Sequence, residues 1–131
     1  MQYGDNKQFP VRAAAILTSG YVAGTIINLA ESAFNQLIIN SSFTIGSLTS
    51  AEIKVEFSKD GTTYYQESVS DTTTTAGTDL VKVLEHSISA TGNYRLAIPI
   101  LPGETYIKIS AKGTGTVTSS SLAINATLGN V

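Results

Sequence analysis

Strict alternation of apolar and polar residues over positions 50–58 constrains the fold of this chain more than any other feature. The apolar set is Ala51, Ile53, Val55 and Phe57, and the polar set is Glu52, Lys54, Glu56 and Ser58. A period of two residues places the two sets on opposite faces of a β-strand, so the segment predicts a strand with one buried and one solvated face.

The same alternation recurs in three later segments. Their apolar sets are Tyr94, Leu96, Ile98 and Ile100; Ile107, Ile109 and Ala111; and Leu122, Ile124, Ala126 and Leu128. The strand that contains Ile107, Ile109 and Ala111 follows a turn predicted at Pro102-Gly103. Pro99 cannot donate a ladder hydrogen bond, so the strand that contains it is expected at a sheet edge or ends early.

Weaker candidate strands bring the total to about nine, with turn signals every 8–15 residues, which is typical of a sandwich or barrel. They cover residues 11–17, 22–29, 35–45, 62–70 and 79–89. Ser and Thr make up roughly a quarter of the chain, and with Val and Ile they suit strands. We therefore predict an all-β fold, an antiparallel β-sandwich of about eight to nine strands, with jelly-roll topology as the first expectation.

The chain has the length of one domain, so residues 1–131 are expected to form a single sandwich, with residues 1–10 as a candidate N-terminal arm. The polar start predicts no signal peptide, and no apolar run approaches the ~20 residues of a membrane helix. Residues 29–38 also fit a helical face. Because alternation from Leu37 to Ile45 runs longer, we predict a turn or helical turn at residues 30–33 and then a strand with Leu37, Ile39, Ser41, Phe43 and Ile45 inward.

Asp60-Gly61, between two strand-like segments, predicts a β-hairpin in one of two registers. A two-residue turn places Phe57 opposite Tyr64 and Lys54 opposite Glu67. A three-residue loop with Gly61 in the left-handed region places Val55 opposite Tyr65 and Ala51 opposite Val69. We favour the second, because it buries Tyr65 and Val69.

The chain shows no pattern for catalysis, a cofactor or a metal. It has no Cys, and its one histidine, His86, has no sequence partner for a triad or metal site. Asp60, Asp71 and Asp79 are too scattered for a calcium loop, and Asp60 is assigned to turn chemistry. A nucleophile elbow, a phosphate loop and a dinucleotide fingerprint are absent. We expect no enzymatic activity and no catalytic, cofactor-binding or metal-binding residues.

Binding of sugar through aromatic side chains is the weaker interpretation of the tyrosines. Tyr64 is the best exposed candidate, whereas Tyr94 and Tyr106 are expected in the core. Asn40 and Asn125 begin N-glycosylation patterns, which arise easily by chance in a chain rich in Ser and Thr.

Charge is unevenly distributed along the chain. Residues 9–50 contain only Arg12 and Glu31 as charged residues, whereas later strands carry charge at alternate positions. The early strands are either central in the sandwich or in contact with neighbouring subunits, since interface cores are depleted of charge. We expect a homo-oligomer, a trimer first, or packing against a capsid. The polar loop 70–79 is expected to make contacts rather than catalyse. A net charge of −2 argues against a nucleic-acid partner.

Four blocks of sequence resemble small virion structural proteins of tailed bacteriophages. They are residues 34–37 (Phe-Asn-Gln-Leu), 51–67 around the Asp60-Gly61 turn, 92–96 (Gly-Asn-Tyr-Arg-Leu) and 107–115. The chain differs from these virion proteins at Tyr64, where they often have Trp. The resemblance implies a β-sandwich with a structural role in the virion and no catalytic residues.

From this resemblance we expect a head decoration or auxiliary capsid protein that stabilises the particle and is located in the virion after synthesis in the host cytoplasm. The alternatives are a neck or tail component, or a carbohydrate- or receptor-binding module. Capsid or other virion proteins are the expected partners, and neither nucleic acid nor membrane is expected.

Overall fold

The computed structural model describes residues 6–29, 34–70 and 79–131. Three predictions fall outside these ranges: the turn at residues 30–33, residues 71–78 of the polar loop, and residues 1–5 of the candidate arm. None of the described residues forms a helix long and apolar enough to cross a membrane.

Strands dominate the described residues. In chain order they are β1 (Lys7–Ala15), β2 (Val22–Ala23), β3 (Ile27–Asn28), β4 (Gln36–Thr44), β5 (Leu48–Ser58), β6 (Ser68–Ser70), β7 (Leu80–Lys82), β8 (Glu85–Ile88), β9 (Gly92–Pro99), β10 (Tyr106–Gly115) and β11 (Ser121–Gly129).

Two antiparallel sheets and a separate ribbon account for all of these strands. The first sheet has the order β1-β11-β4-β9 and the second the order β2-β10-β5-β8, with β3 also paired to β10; β6 and β7 form the ribbon. The predicted antiparallel β-sandwich is confirmed. Successive long strands alternate between the sheets from β4 onward, which is compatible with jelly-roll topology; that topology stays a prediction.

The core lies between the inner faces of the two sheets, where the predicted alternation places it. The apolar sets of β5, β10 and β11 are all buried, with at most 7% of any residue exposed. On β4, Leu37, Ile39, Ser41 and Phe43 point inward as predicted, and Ile45 packs partly against the core. At 25 cal/mol per Å² of apolar area, each fully buried Leu or Ile stabilises the fold by about 1.5–3 kcal/mol.

Both edges of the first sheet carry a proline, which blunts them against pairing with another chain. Pro10 lies in β1, next to the first of two register shifts against β11. Pro99 is the last residue of β9, which is an edge strand as predicted. Residues 7–10, predicted as part of an arm, belong instead to β1, where Lys7 pairs with Leu128 and Pro10 with Asn125.

The predicted strand at residues 22–29 is split into β2 and β3 because the backbone there links the two sheets. Gly24 N donates to Ile109 O of the second sheet at 2.9 Å, and Thr25 N donates to Val11 O of the first sheet at 2.9 Å. A Cβ at position 24 would lie 2.4 Å from Val11 O, so only glycine allows this close approach.

Both predicted hairpin registers are wrong. Phe57 pairs with Tyr65, through N–H···O bonds of 2.9 and 2.8 Å, and Ala51 pairs with Ile88 of β8. The loop after Phe57 is longer than expected because side chains build it: Ser58 Oγ accepts from Asp60 N and Gly61 N. The left-handed Gly61 is confirmed, with φ of 79°.

The burial predicted with the favoured register is also wrong. Tyr65 is 66% exposed and Val69 48% exposed. Beyond the Tyr65 bridge the chain leaves β5, and β8 takes the neighbouring position that residues 66–70 were predicted to fill. Val69 pairs instead with Val81 in the ribbon.

Candidate interaction surfaces

The two sheets present outer surfaces of different charge. Strands β1, β11, β4 and β9 of the first sheet contain no acidic residue, and their charged residues are Lys7, Arg12 and Arg95. The strands of the second sheet contain six charged residues of both signs: Glu52, Lys54, Glu56, Glu85, Lys108 and Lys112. An exposed sheet face normally carries mixed charge, so the first sheet is the exceptional one.

The outward side chains of the first sheet include amides, hydroxyls and the Arg95 guanidinium, a set that we call the amide face; Ile38, Ala97 and Ala123 are outward beside them. It comprises Gln36, Asn40, Ser42, Asn93, Arg95, Asn125 and Thr127. They are outward because the residues between them in β4 and β11 are buried.

One row of paired residues crosses the middle of the amide face. Pro10 is opposite Asn125, Asn125 is opposite Asn40, and Asn40 is opposite Arg95. Arg95 Nε donates to Asn40 Oδ1 at 3.0 Å. A groove of about 370 Å³ is lined by Asn125, Asn40 and Arg95 of this row and also by Asn93 and Tyr94. Within the described part of the chain, the side-chain amides of Asn93 and Asn125 have no hydrogen-bond partner, so they are available to a bound molecule.

Arg12 has a structural role beside this face. Its Nε donates to Leu122 O at 3.0 Å, and its Nη2 donates to Ala15 O at 3.2 Å and Ile16 O at 2.9 Å. Partial burial lowers the pKa of Arg12. The guanidinium therefore holds the irregular end of β1 through three backbone carbonyls.

The edge beside β1 exposes apolar side chains. Ile16 is 57% exposed, Val22 47% and Ile26 39%. The charge-poor stretch 9–50 therefore has two parts: β4 is central in its sheet, whereas β1 and residues 16–26 lie at an edge. The central position of β4 in its sheet explains the absence of charge on its inward face. It does not explain the absence of charge on the outward face of β4 or the apolar side chains exposed at the edge.

The outer face of the second sheet is a solvated, internally paired surface. Lys54 Nζ lies 4.4 Å and Lys112 Nζ 4.9 Å from the centre of the Tyr21 ring, and Tyr21 Oη donates to Glu85 Oε1 at 2.9 Å. Burial, followed by the hydrogen bond to Glu85, raises the pKa of Tyr21, and that same bond lowers the pKa of Glu85. These contacts hold Tyr21 on the sheet.

The residues weighed for catalysis do not come together. His86 is exposed on the edge strand β8, with Ile53 opposite, and Asp79 is exposed. Among residues 6–29, 34–70 and 79–131, no three His, Cys, Asp or Glu side chains are grouped as metal ligands would be. Asp71 lies outside these ranges.

Asp60 has the turn role that was predicted. Its Oδ1 accepts from Thr62 N at 2.8 Å and Thr63 N at 2.9 Å. The bond from Thr63, then the bond from Thr62, lowers the pKa of Asp60.

The tyrosines depart from their predicted places. Tyr64 is half-buried, with Lys108 Nζ 4.1 Å from its ring centre. Tyr94 is 39% exposed, so its predicted core position is wrong; its hydroxyl donates to Ala90 O at 2.7 Å. It lies at the open edge of β9, where no strand covers it. Tyr106 is half-buried.

Sequence reasoning missed the amide face itself. The signal lies in Asn40 and Asn125, which stand out in the sequence only as parts of glycosylation patterns. Their adjacency depends on the register between β4 and β11, which no local pattern specifies.

No protein-family model and no curated protein sequence matches this chain. Among solved structures, it resembles the SPBc2 prophage-derived protein YomS, with a TM-score of 0.63 and 17% identity, over 99% of this chain and 97% of that one. A structure of PirA shows a TM-score of 0.44 and 9% identity, over 99% of this chain and 95% of that one. The likeness to YomS shows a shared fold.

Proposed function

We propose that this protein is a non-enzymatic structural component of a bacteriophage particle that attaches to neighbouring virion proteins through the amide face and its adjoining apolar edge. The observation that carries the proposal is the absence of acidic residues from β1, β11, β4 and β9. The four sequence blocks that resemble virion proteins and the fold shared with a prophage-derived protein support the phage context.

The physical reason is desolvation. A charged side chain buried in an interface loses its hydration and must find a partner, whereas amides and hydroxyls exchange hydrogen bonds with water for hydrogen bonds with the other chain. The proline-bearing edges β1 and β9 disfavour strand addition. Attachment is therefore expected through side chains of the face, repeated over many copies, so that weak contacts add by avidity.

Head decoration or an auxiliary capsid role is the first placement, and a neck or tail position is the alternative. A trimer is the first expectation for the free protein. Native mass spectrometry at micromolar concentration is expected to show more than monomer. A clean monomer whose amide face stays hydrated in the particle contradicts the proposal.

The direct test introduces one charge on each outer surface. Asn125→Lys places an ammonium in the middle of the amide face, at an exposed residue whose side chain has no partner among the described residues. Ser87→Lys is the matched control, since Ser87 is exposed on the charged second sheet.

We expect both variants to melt within a few degrees of the wild type, because surface substitutions change stability little. Only Asn125→Lys is expected to lose particle occupancy, by about tenfold or more, since an unpaired buried charge costs several kcal/mol. Quantitative mass spectrometry of purified particles measures the occupancy. Equal occupancy of the two variants would refute the amide face as the attachment surface.

A second candidate function is saccharide binding, which the unpaired amides of Asn93 and Asn125 beside Arg95 and the exposed ring of Tyr94 favour. Binding of the purified protein to cell-surface glycans, lost in Arg95→Ala and retained in Ser87→Lys, would support it. Binding to purified particles with no glycan binding would favour the structural role.

A further inference from the structure

An apolar groove of about 310 Å³ lies between the turn after β9 and the base of the β6–β7 ribbon. Its floor is formed by Phe57 and Ile98, which are 7% and 2% exposed. Leu84 and Leu101 line its sides. Leu101 is 53% exposed, so part of this apolar surface faces solvent.

Backbone hydrogen bonds fix both walls of the groove. On one side, Pro102-Gly103 makes the predicted turn: Gly103 has φ of 90°, as position three of a type II turn requires, and Glu104 N lies 3.5 Å from Leu101 O. On the other side, Val83 N donates to Glu67 O at 3.0 Å. Leu84 O accepts from Val55 N at 2.9 Å. The groove is therefore formed before any partner binds.

The ribbon extends the apolar surface beyond the groove. Glu67 and Val83 line the groove and continue directly into β6 and β7. The ribbon exposes Val69 at 48%, Leu80 at 71% and Val81 at 41%, and it pairs with neither main sheet. A two-stranded ribbon is marginally stable in water, and exposed apolar side chains on it favour coverage by another surface.

Both charged residues that line this groove are acidic, and the nearest lysines lie at its margins: Lys59 against the turn at Gly103, and Lys82 in the ribbon. Two carboxylates, those of Glu67 and Glu104, line it, and none of the described lining residues is basic. Neither carboxylate forms an ion pair within the described part of the chain. An occupant that fills the groove with apolar side chains and presents cations at its margins would satisfy both features.

We propose that the groove and ribbon bind an extended segment of another protein chain, with aliphatic side chains over Phe57 and Leu101 and Lys or Arg side chains against Glu67 and Glu104. An extended chain is favoured because the apolar surface runs from the groove along the ribbon. Pro99 lines the groove and lacks an N–H, so recognition depends on side chains more than on strand pairing. The groove adjoins the amide face where Pro99 pairs with Gln36, but no residue belongs to both, so each proposal is tested by its own variants.

The test uses the full chain in solution and needs no particle. The probe is an acetylated, amidated heptapeptide of alternating Leu, Thr and Val with Lys at both ends. Its twin carries Glu at both ends. Titration of ¹⁵N-labelled protein with each peptide, followed by amide chemical shifts, locates the site and measures the dissociation constant.

We expect shifts at Leu84 and Leu101, and binding of the Lys peptide about threefold to twentyfold tighter than that of the Glu peptide, as two exposed ion pairs imply. The double variant Glu67→Gln/Glu104→Gln is expected to abolish this preference, and Leu101→Ser to weaken both peptides. Glu56→Gln, which removes an acid from the second sheet, is expected to leave both affinities unchanged.

Three results would overturn the proposal: no shifts at the groove with either peptide, equal affinities for the two peptides, or a preference that survives the double variant. Hexylamine, a small apolar cation, is the further control. If it bound the groove as tightly as the Lys peptide, the groove would be a small-molecule site and the assignment to a protein segment would be wrong.

Discussion

Replacement of Phe57 by alanine tests the face assignment of β5 and the openness of the groove at the same time. Phe57 is 7% exposed and pairs with Ile107 of β10, so the truncation removes a buried ring. Phe→Ala in a core costs about 3–5 kcal/mol, with the higher values where a sealed cavity remains. Phe57 borders the 310 Å³ groove, whereas Phe43, 2% exposed, borders none of the described grooves.

The structure therefore predicts an order for the two truncations. Water and neighbouring side chains can enter the space left by Phe57, so Phe57→Ala is expected to cost about 3 kcal/mol and Phe43→Ala about 5 kcal/mol. Unfolding entropy of about 2.1 cal/mol/K per residue gives about 0.28 kcal/mol/K for 131 residues. The expected falls in Tm are then about 11 °C and about 18 °C.

Urea unfolding followed by far-UV circular dichroism and tyrosine fluorescence measures these differences, since the chain has no Trp. Phe57→Leu, which keeps most of the volume, is the control and is expected to cost less than about 1.5 kcal/mol. An unchanged midpoint in Phe57→Ala would refute the burial of this face. A larger loss in Phe57→Ala than in Phe43→Ala would refute the reasoning from the open groove.

Three further predictions concern stability. The bond from Thr63 N lowers the folded pKa of Asp60 below its unfolded value of about 3.9. The ionised carboxylate therefore contributes its full stabilisation above about pH 3.9, and this stabilisation is lost as the pH falls through the folded pKa. Tm measured from pH 6 to 2 should fall less steeply in Asp60→Asn than in the wild type, and equal slopes would contradict this. Gly46→Ala should cost about 2 kcal/mol or more in urea unfolding, because φ is 55° and the new Cβ would lie 2.4 Å from a backbone oxygen. The control Gly20→Ala should be nearly neutral in the same assay, because a Cβ at position 20 would have no atom within 4 Å. Tyr21→Ala removes a ring covered by two ammonium groups and should cost about 1–2 kcal/mol, whereas Tyr21→Phe should retain most of that in the same assay; an equal loss in both would assign the stabilisation to the hydroxyl.

Local pattern was sufficient for the long strands β5, β10 and β11 and for their buried faces. In β5, β10 and β11 every predicted inward residue is buried, because the two-residue period of a strand is set by backbone geometry and needs no knowledge of the partner strand. The edge position of β9 could also be predicted locally, because proline lacks a backbone N–H wherever it occurs. The left-handed Gly61 and the turn at Pro102-Gly103 were also local.

Pairing between strands could not be deduced in this way. The hairpin after Phe57 was predicted from the turn residues. The loop is longer because Asp60 Oδ1 accepts hydrogen bonds from Thr62 N and Thr63 N, and β8 takes the edge of β5. Tyr65 and Tyr94 were predicted as buried, and both are exposed because each lies where a sheet ends. A strand pattern identifies which side chains share a face and does not identify which strands lie at an edge.

The candidate surfaces divide in the same way. The scarcity of charge in residues 9–50 is a property of the sequence alone, and it predicts a contact surface somewhere in that stretch. Only the tertiary structure placed Asn40 opposite Asn125 and Arg95, and only it joined Phe57, Leu84, Ile98 and Leu101 around one groove, from segments that are distant along the chain. Composition and periodicity are properties of neighbours in sequence, whereas a surface forms where strands from separate segments pair. Which strands pair depends on the arrangement that buries the most apolar area while satisfying the backbone hydrogen bonds.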